Sequence, residues 1–335
     1  MRIAFLLVVA GCGEMALRPT FPLGAADAPV IHEQAILGFD AHGDALAVQL
    51  VDAEGAEPEL ALLLFDHAGG ATRLLEKAPK YKALDTATAV RAASMRAAPV
   101  LRAALAWPEA QSIAAARGFR ARPADLPEPG GRRWSVAGVP GAGALPLLLR
   151  LGETDGDPRA LLLSLAERPS ATPAGEEIEL TRVPLSGSTV DPELYLTGET
   201  VWLLAGSTRP DLPPRRAVGI RRVSLRHGEA QLHNAHGIES YGAGELDAAR
   251  REFDRAVAAD PGWVDGLYNA AAVAALSNRE AEAVELLRRA VAADPRRVQV
   301  LGRNDDDFAI LRKRPEVRAL LGLKRLPPEG TPPPP

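Results

Sequence analysis

A chain of 335 residues with 47% apolar side chains has room for two ordinary domains and enough apolar matter for a sizeable core, which argues against disorder as its general state. Its formal charge of −4, with both signs scattered along the chain, offers no basic field to a phosphate backbone, so nucleic acid is not an expected partner. Aromatic residues at 4% are too few for base-stacking platforms or aromatic-rich sugar clefts. The abundance of Ala, Arg, Gly and Pro fits a GC-rich bacterial source.

The amino terminus, Met1-Arg-Ile-Ala-Phe-Leu-Leu-Val-Val-Ala-Gly11-Cys12, sets one basic residue before an apolar stretch from Ile3 to Ala10, two small residues and the sole cysteine. That is the order of an export signal. Val9-Ala10-Gly11-Cys12 resembles the bacterial lipobox. The resemblance implies a signal peptide over residues 1–11, cleavage before Cys12, and acyl chains on Cys12 as a membrane anchor. Gly13 then stands where a non-acidic residue implies the outer membrane. The plainer reading is a buried first strand whose cysteine is a small apolar residue. Both regions of the signal are short, which leaves an upstream start codon open. No other run approaches the roughly 18 apolar residues of a membrane span. With no second cysteine, an internal disulfide is excluded. Residues 12–28 form the lipidated cysteine and a tether rich in small residues, which Pro19 and Pro22 keep extended.

From residue 29 to 226 the pattern shortens to strand-length apolar runs: Ala35 to Phe39, Ala45 to Val51, Leu60 to Phe65, Trp134 to Val136, Leu145 to Leu151, Ala160 to Leu165, Ile178 to Val183, Val201 to Ala205 and Val218 to Leu225. Such runs between Gly, Asp and Pro predict a predominantly antiparallel β domain. His42-Gly43-Asp44 and Ala68-Gly69-Gly70 supply the positive-φ residues of tight hairpins. Gly38 to Val48 with Glu59 to Leu75, and again Tyr195 to Leu204, resemble blades of periplasmic β-propellers. A propeller needs at least about four blades, so a partial version and an unrelated sandwich stay equally open. Between these hairpins residues 85–117 read as a helical insertion. Asp85 caps it, Ala89, Val90, Ala93, Met95, Val100, Leu101 and Leu105 are its apolar positions, Pro99 ends or kinks its first half, and a second short helix runs from Pro108 to Arg117. Alanine-rich helices bury little area, and this pair is expected to cover one edge of the sheet.

The strongest pattern follows. Arg255-Ala-Val-Ala-Ala-Asp-Pro261 recurs as Arg289-Ala-Val-Ala-Ala-Asp-Pro295, offset by 34 residues. Overlaying the units places Gly237 on Ala271, Ala249 on Ala283 and Ala256 on Ala290, small residues where antiparallel helices must touch, with Phe253 on Leu287. A proline closes each second helix because it has no backbone N–H to continue it. These residues resemble the tetratricopeptide repeat. The resemblance implies a helical module over 229–323, with repeats at about 230–263 and 264–297. The first pairs a helix from Ala230 to Ala243 with Leu246 to Ala259, and the second pairs Trp263 to Leu276 with Glu280 to Ala293. Asn304 to Leu311 and Pro315 to Leu321 resemble the closing helices of such modules, over 304–322. Residues 324–335 are proline-rich and expected to be an extended, disordered end. The fold class expected is therefore α+β, an N-terminal antiparallel β domain with a helical insertion followed by a two-repeat helical module with closing helices.

The same resemblance implies that inner helices line a groove for an extended or helical peptide, at Asn234, Ile238, Tyr241, Asp265, Tyr268 and Leu276. Tyrosine suits such a site because it offers a large amphipathic contact at little entropic cost. Two repeats make a short groove, and filling by the β domain or by the terminal helices is the competing expectation.

Other clusters have plainer readings. His227, His233 and His236 lie close in sequence, with Glu239 on the face of His236, but in the repeat register His233 and His236 point between helices as packing residues. No metal site is expected there. Asp305, Asp306 and Asp307 lack the ligand spacing and central glycine of an EF-hand and read as a helix cap, with Arg312, Lys313 and Arg314 at the far end complementing the helix dipole. Gly138 to Gly143 lacks the Lys-Ser/Thr of a phosphate loop and reads as a turn. Neither a Gly-x-Ser-x-Gly elbow nor a His-Glu-x-x-His pair nor a Cys-His couple is present. No cofactor is implied. The expected function is non-catalytic: an outer-membrane lipoprotein facing the periplasm that serves as an interaction or assembly scaffold for a protein or peptide partner in the cell envelope. The alternative is an envelope enzyme or ligand-sensing protein with a pocket in the β domain and the repeats as a positioning element.

Overall fold

The computed structural model describes residues 30–52, 59–67, 72–77, 109–120, 133–137, 146–154, 159–167, 177–185, 189–209 and 215–323. The signal segment, Cys12 and its tether, the first half of the helical insertion, the Ala68-Gly69-Gly70 turn, Gly138 to Gly143 and the tail lie outside the described residues. Antiparallel sheets occupy the N-terminal part and helices the C-terminal part, so the class is α+β.

Among the described residues the strands form three meanders. The first is β1 (Val30–Phe39), β2 (Ala45–Asp52), β3 (Glu59–Phe65) and β4 (Arg73–Lys77), paired in that order. The second is β5 (Arg133–Ala137), β6 (Pro146–Glu153), β7 (Ala160–Glu167) and β8 (Glu177–Pro184). The third places β10 (Thr200–Arg209) between β9 (Thr189–Thr197) and β11 (Arg215–Ser224). The turn from β1 to β2 has Gly43 at φ 90°, with Asp40 and Asp44 closing it through a backbone hydrogen bond of 3.0 Å.

Successive side chains of a strand point to opposite faces, and β10 uses both. Val201, Leu203 and Ala205 join Leu147, Leu149, Leu161, Leu163 and Leu165 in the core of the second sheet. Trp202 packs with Phe39, Ala45 and Ala47 of the first sheet, and Leu204 with Leu46, Val48 and Leu62. Val201 to Ala205 are accordingly all buried, which is why this strand reads as a continuous apolar run instead of an alternating one. Helix α1 (Glu109–Ala116) lays Ala110 and Ala114 on the first sheet. The chain then turns at Gly118, φ 84°, and Phe39 and Arg120 exchange backbone hydrogen bonds of 3.1 and 3.0 Å beside β1.

Helix α2 (Leu225–Gly242) starts directly after β11, more than a turn before Ala230, and takes Leu225, expected as strand, as its first residue. Ser224 caps it by accepting from the His227 amide at 3.3 Å. The extension comes from tertiary packing: Leu225 and Leu232 enter the core of the second sheet, and Gly228 permits the approach, since a Cβ there would stand 2.6 Å from Leu180 Cδ2. Arg226 strengthens the junction through Glu199 in the β9–β10 turn, with Nη2 donating to Oε1 at 3.0 Å.

Then come α3 (Leu246–Ala259), α4 (Val264–Leu276) and α5 (Glu280–Ala293). Gly244 and Asn278, which end α2 and α4, are both left-handed, at φ 79° and 57°, the usual device for leaving a helix. Helix α6 (Pro295–Gly302) is capped by Asp294, which accepts from the Arg297 amide at 3.0 Å. The expected helix over Asn304 to Leu311 is instead a pair of 3-10 turns, Asp306–Phe308 and Leu311–Lys313, before α7 (Pro315–Leu320). Asp305 caps the first turn by accepting from the Asp307 amide at 3.0 Å. Short 3-10 turns let Phe308 and Leu311, three apart, both reach the helical core, where each is buried.

Candidate functional site

The six side chains expected to line a groove fall on α2 and α4, and the structure gives five of them a definite neighbour. Asn234 is buried, and its Oδ1 accepts from Asn269 Nδ2 at 2.8 Å, tying α2 to α4. Ile238 is half-buried against the helical core. Asp265 is 8% exposed and accepts a two-pronged pair from Arg297, Nε to Oδ1 at 2.9 Å and Nη2 to Oδ2 at 2.8 Å. Fork-to-fork geometry of this kind fixes orientation as well as adding energy.

The two tyrosines meet the segment that follows α6. Tyr268, fully enclosed, donates to Asp305 Oδ2 at 2.5 Å and lies against the Phe308 ring at a centroid distance of 5.4 Å. Tyr241 donates to Asp307 Oδ1 at 2.8 Å. Burial first, and then the neighbouring aspartates, push both phenols well above the ordinary tyrosine range, so both remain donors. Asp307 is itself pushed up, by burial and then by the Asp305 charge, with the Tyr241 hydrogen bond opposing. Leu276 differs from the other five: 37% exposed, it presents an apolar surface to solvent.

The chain's own segment from Arg297 to Phe308 therefore occupies the face that holds Tyr241, Asp265 and Tyr268. Asn269, Arg297, Asp305, Asp307 and Phe308 complete the arrangement, and the sequence reading assigned none of them to it. A signal existed in the 34-residue offset: Gly302 stands one period after Tyr268, so α6 takes the place of a third unit's first helix and brings its own side chains onto the face.

His227 and His233 are likewise paired. His227 donates from Nδ1 to Asp260 Oδ2 at 2.8 Å and lies edge-on to Trp263. His233 is fully enclosed between α2 and α3 and donates from Nδ1 to Glu252 Oε2 at 2.8 Å, while Arg255 Nη1 donates to the other oxygen at 2.6 Å. The His233 hydrogen bond is the chief reason the Glu252 carboxyl lies below its ordinary value; Arg255 and His236 add to the effect and burial opposes it. With the folded value below the unfolded value of about 4.3, the stabilisation is complete above that pH and is lost as pH falls through the depressed folded value. Glu252→Gln is thus expected to lower the urea midpoint at neutral pH and to flatten its decline in acid; parallel acid limbs for variant and wild type would contradict this.

In the first sheet Asp44 accepts from the His67 amide at 2.8 Å and from its Nδ1 at 2.7 Å. This pair braces two neighbouring hairpin ends on a partly exposed surface. Compared with family models, with curated proteins and with solved structures, the chain matches none.

Proposed function

We propose that this chain is a non-catalytic scaffold of the bacterial cell envelope, anchored through a lipidated Cys12, that binds a protein or peptide partner through a tetratricopeptide module of two repeats, α2–α3 and α4–α5, closed by the segment after Pro295. The observation that carries the reading is that positions equivalent across the 34-residue offset do equivalent work. Ala249 and Ala283, Ala256 and Ala290, and Phe253 and Leu287 are buried alike. At Gly237, the counterpart of buried Ala271, a Cβ would stand 2.6 Å from the Phe253 ring, so small size there serves close helix contact. Units that repeat in this way stack on their neighbours and present extended surfaces, the property that suits such modules to holding partners.

Because the chain's own segment lies over Tyr241, Asp265 and Tyr268, we place the partner's contact on the exposed apolar side chains of the helical part. Three of the four large exposed ones among the described residues are there: Leu276, Val300 and Ile310, the last two at 76% and 63% exposure. A photoreactive amino acid placed singly at Leu276, Val300 and Ile310, with Leu74 of β4 as control, tests this in cells of the source organism. The expected result is one discrete adduct shared by the helical positions and absent from Leu74, with the protein in the membrane fraction and released from it by Cys12→Ser. No adduct, or adducts from Leu74 alone, would remove the scaffold reading; a Cys12→Ser variant that stays in the membrane would remove the anchor.

A further inference from the structure

Helix α6 turns a mixed face of cations and apolar surface to solvent. Val298 and Gly302 are its buried positions. Arg296, Gln299, Val300 and Arg303, at the i, i+3, i+4 and i+7 spacing that gathers residues on one face, are all exposed. Arg303 belongs to this face because its backbone is still helical, at φ −57° and ψ −42°. Val300 is 76% exposed, and an arginine stands on each side of it along the helix.

The second 3-10 turn repeats this combination. Ile310 is 63% exposed, and Lys313, also exposed, shares its side of the chain because residues three apart eclipse in a 3-10 turn. Arg312 fastens the turn to the end of α6, its Nη2 donating to the Gly302 carbonyl at 3.1 Å and also to that of Asp305. Elsewhere in the helical part arginines rest on carboxylates, as Arg255 does on Glu252, Arg297 on Asp265 and Arg314 on Glu280. Arg296, Arg303 and Lys313 do not: among the described residues no carboxylate stands within ion-pair distance of any of them. Asp294 and Asp305, close by in sequence, are engaged as caps, Glu316 is held by Arg288, and the exposed Asp306 pairs with none of the three.

We propose, resting on the scaffold reading, that the partner segment held by α6 and the turn after it is acidic: an apolar stretch flanked by Asp or Glu, whose apolar side chains cover Val300 and Ile310 while its carboxylates meet Arg296, Arg303 and Lys313. An apolar centre with a charged rim is the usual anatomy of a protein interface, and rim charges steer encounter and reject wrong partners more than they add affinity. A basic segment would set like charges together at three positions. An anionic bilayer is the poorer occupant. A membrane meets the whole side of the molecule, and the chain's formal charge is −4. A short segment lying on α6 is screened from charges more than about 8 Å away and senses chiefly these three cations.

The test places a photoreactive amino acid at Val300 or Ile310 of the full chain in cells of the source organism and maps the cross-linked segment by mass spectrometry. Wild type is compared with a variant carrying Arg296→Glu, Arg303→Glu and Lys313→Glu. All three positions are exposed, and circular dichroism of the purified variant checks that it is folded; Arg73→Glu on β4, another exposed cation, controls for the change in charge itself. The expected result is an adduct on a segment rich in Asp and Glu, with its yield lowered at least about fivefold by the triple reversal and unchanged by Arg73→Glu. An undiminished adduct in the folded triple variant, or one on a neutral or basic segment, overturns the acidic partner and leaves the scaffold reading standing. An adduct at Leu276 with none at Val300 or Ile310 does the same, and no adduct at any of the three removes both. Vesicles of phosphatidylglycerol, spun with the Cys12→Ser chain, supply the lipid arm: sedimentation of that chain, lost on the triple reversal, would make the surface a lipid contact and overturn the proposal.

Discussion

Ala256→Arg is expected to destabilise the protein by about 3–5 kcal/mol, while Ala258→Arg, two residues further along α3, is expected to stay within about 0.5 kcal/mol of wild type. Ala256 is 0% exposed, whereas Ala258 faces solvent. An arginine at 256 must either bury a guanidinium without a partner or force α2 and α3 apart, and both routes are costly. Since α2 also contributes Leu225 and Leu232 to the core of the second sheet, the damage is expected to reach the β part and to appear as a single lowered transition in urea denaturation. Equal midpoints for the two variants would show that α2 and α3 do not pack as a close pair.

Trp202→Ala is expected to cost about 3–5 kcal/mol, the range for removing a large buried aromatic side chain. Trp202 is 0% exposed, lies 5.7 Å from Phe39 between ring centroids, and donates from Nε1 to Thr197 Oγ1 at 2.8 Å. Arg222 sits over the same ring at 5.8 Å. Its neighbours come from two sheets, so they cannot close the cavity by shifting one strand. Trp202→Phe retains most of the packing and loses the indole N–H, for an expected cost of about 1–2 kcal/mol. Thermal and urea unfolding of the two variants check the order; a Trp202→Ala protein with the wild-type midpoint would mean that β10 is not a shared layer.

Much of the local structure could be read from residues alone. The apolar runs marked most of the strands, Gly43 marked the first hairpin turn, and the bounds of α3 and α5 followed from Leu246, Glu280 and the two Asp-Pro endings. Local chemistry specifies these features: turn residues need particular φ values, and proline stops a helix wherever it stands. Two readings failed where distant contacts intervened. Leu225 looked like the end of a strand because it is apolar and follows one, yet the second sheet draws it into a helix. The Asn304 to Leu311 stretch looked helical, yet placing both Phe308 and Leu311 in the core while Asp305 and Asp307 meet two tyrosines requires tighter turns.

The groove residues show the same division. The resemblance to tetratricopeptide repeats implied Asn234, Tyr241, Asp265 and Tyr268 as groove positions, because the register of a repeat can be laid on the sequence. Their partners, Asn269, Arg297, Asp305 and Asp307, lie as far as 66 residues away, and no local pattern links them. By itself, then, the sequence determined the α+β order of the chain, the positions of its turns and the small residues at which helices touch, since these depend on backbone conformation and side-chain size within a few residues. Only the tertiary structure decided which faces meet: β10 between two sheets, α2 against the β part, Glu252 beside His233, and the closing segment over the two tyrosines, because burial and hydrogen bonding between distant residues are settled by how the whole chain packs.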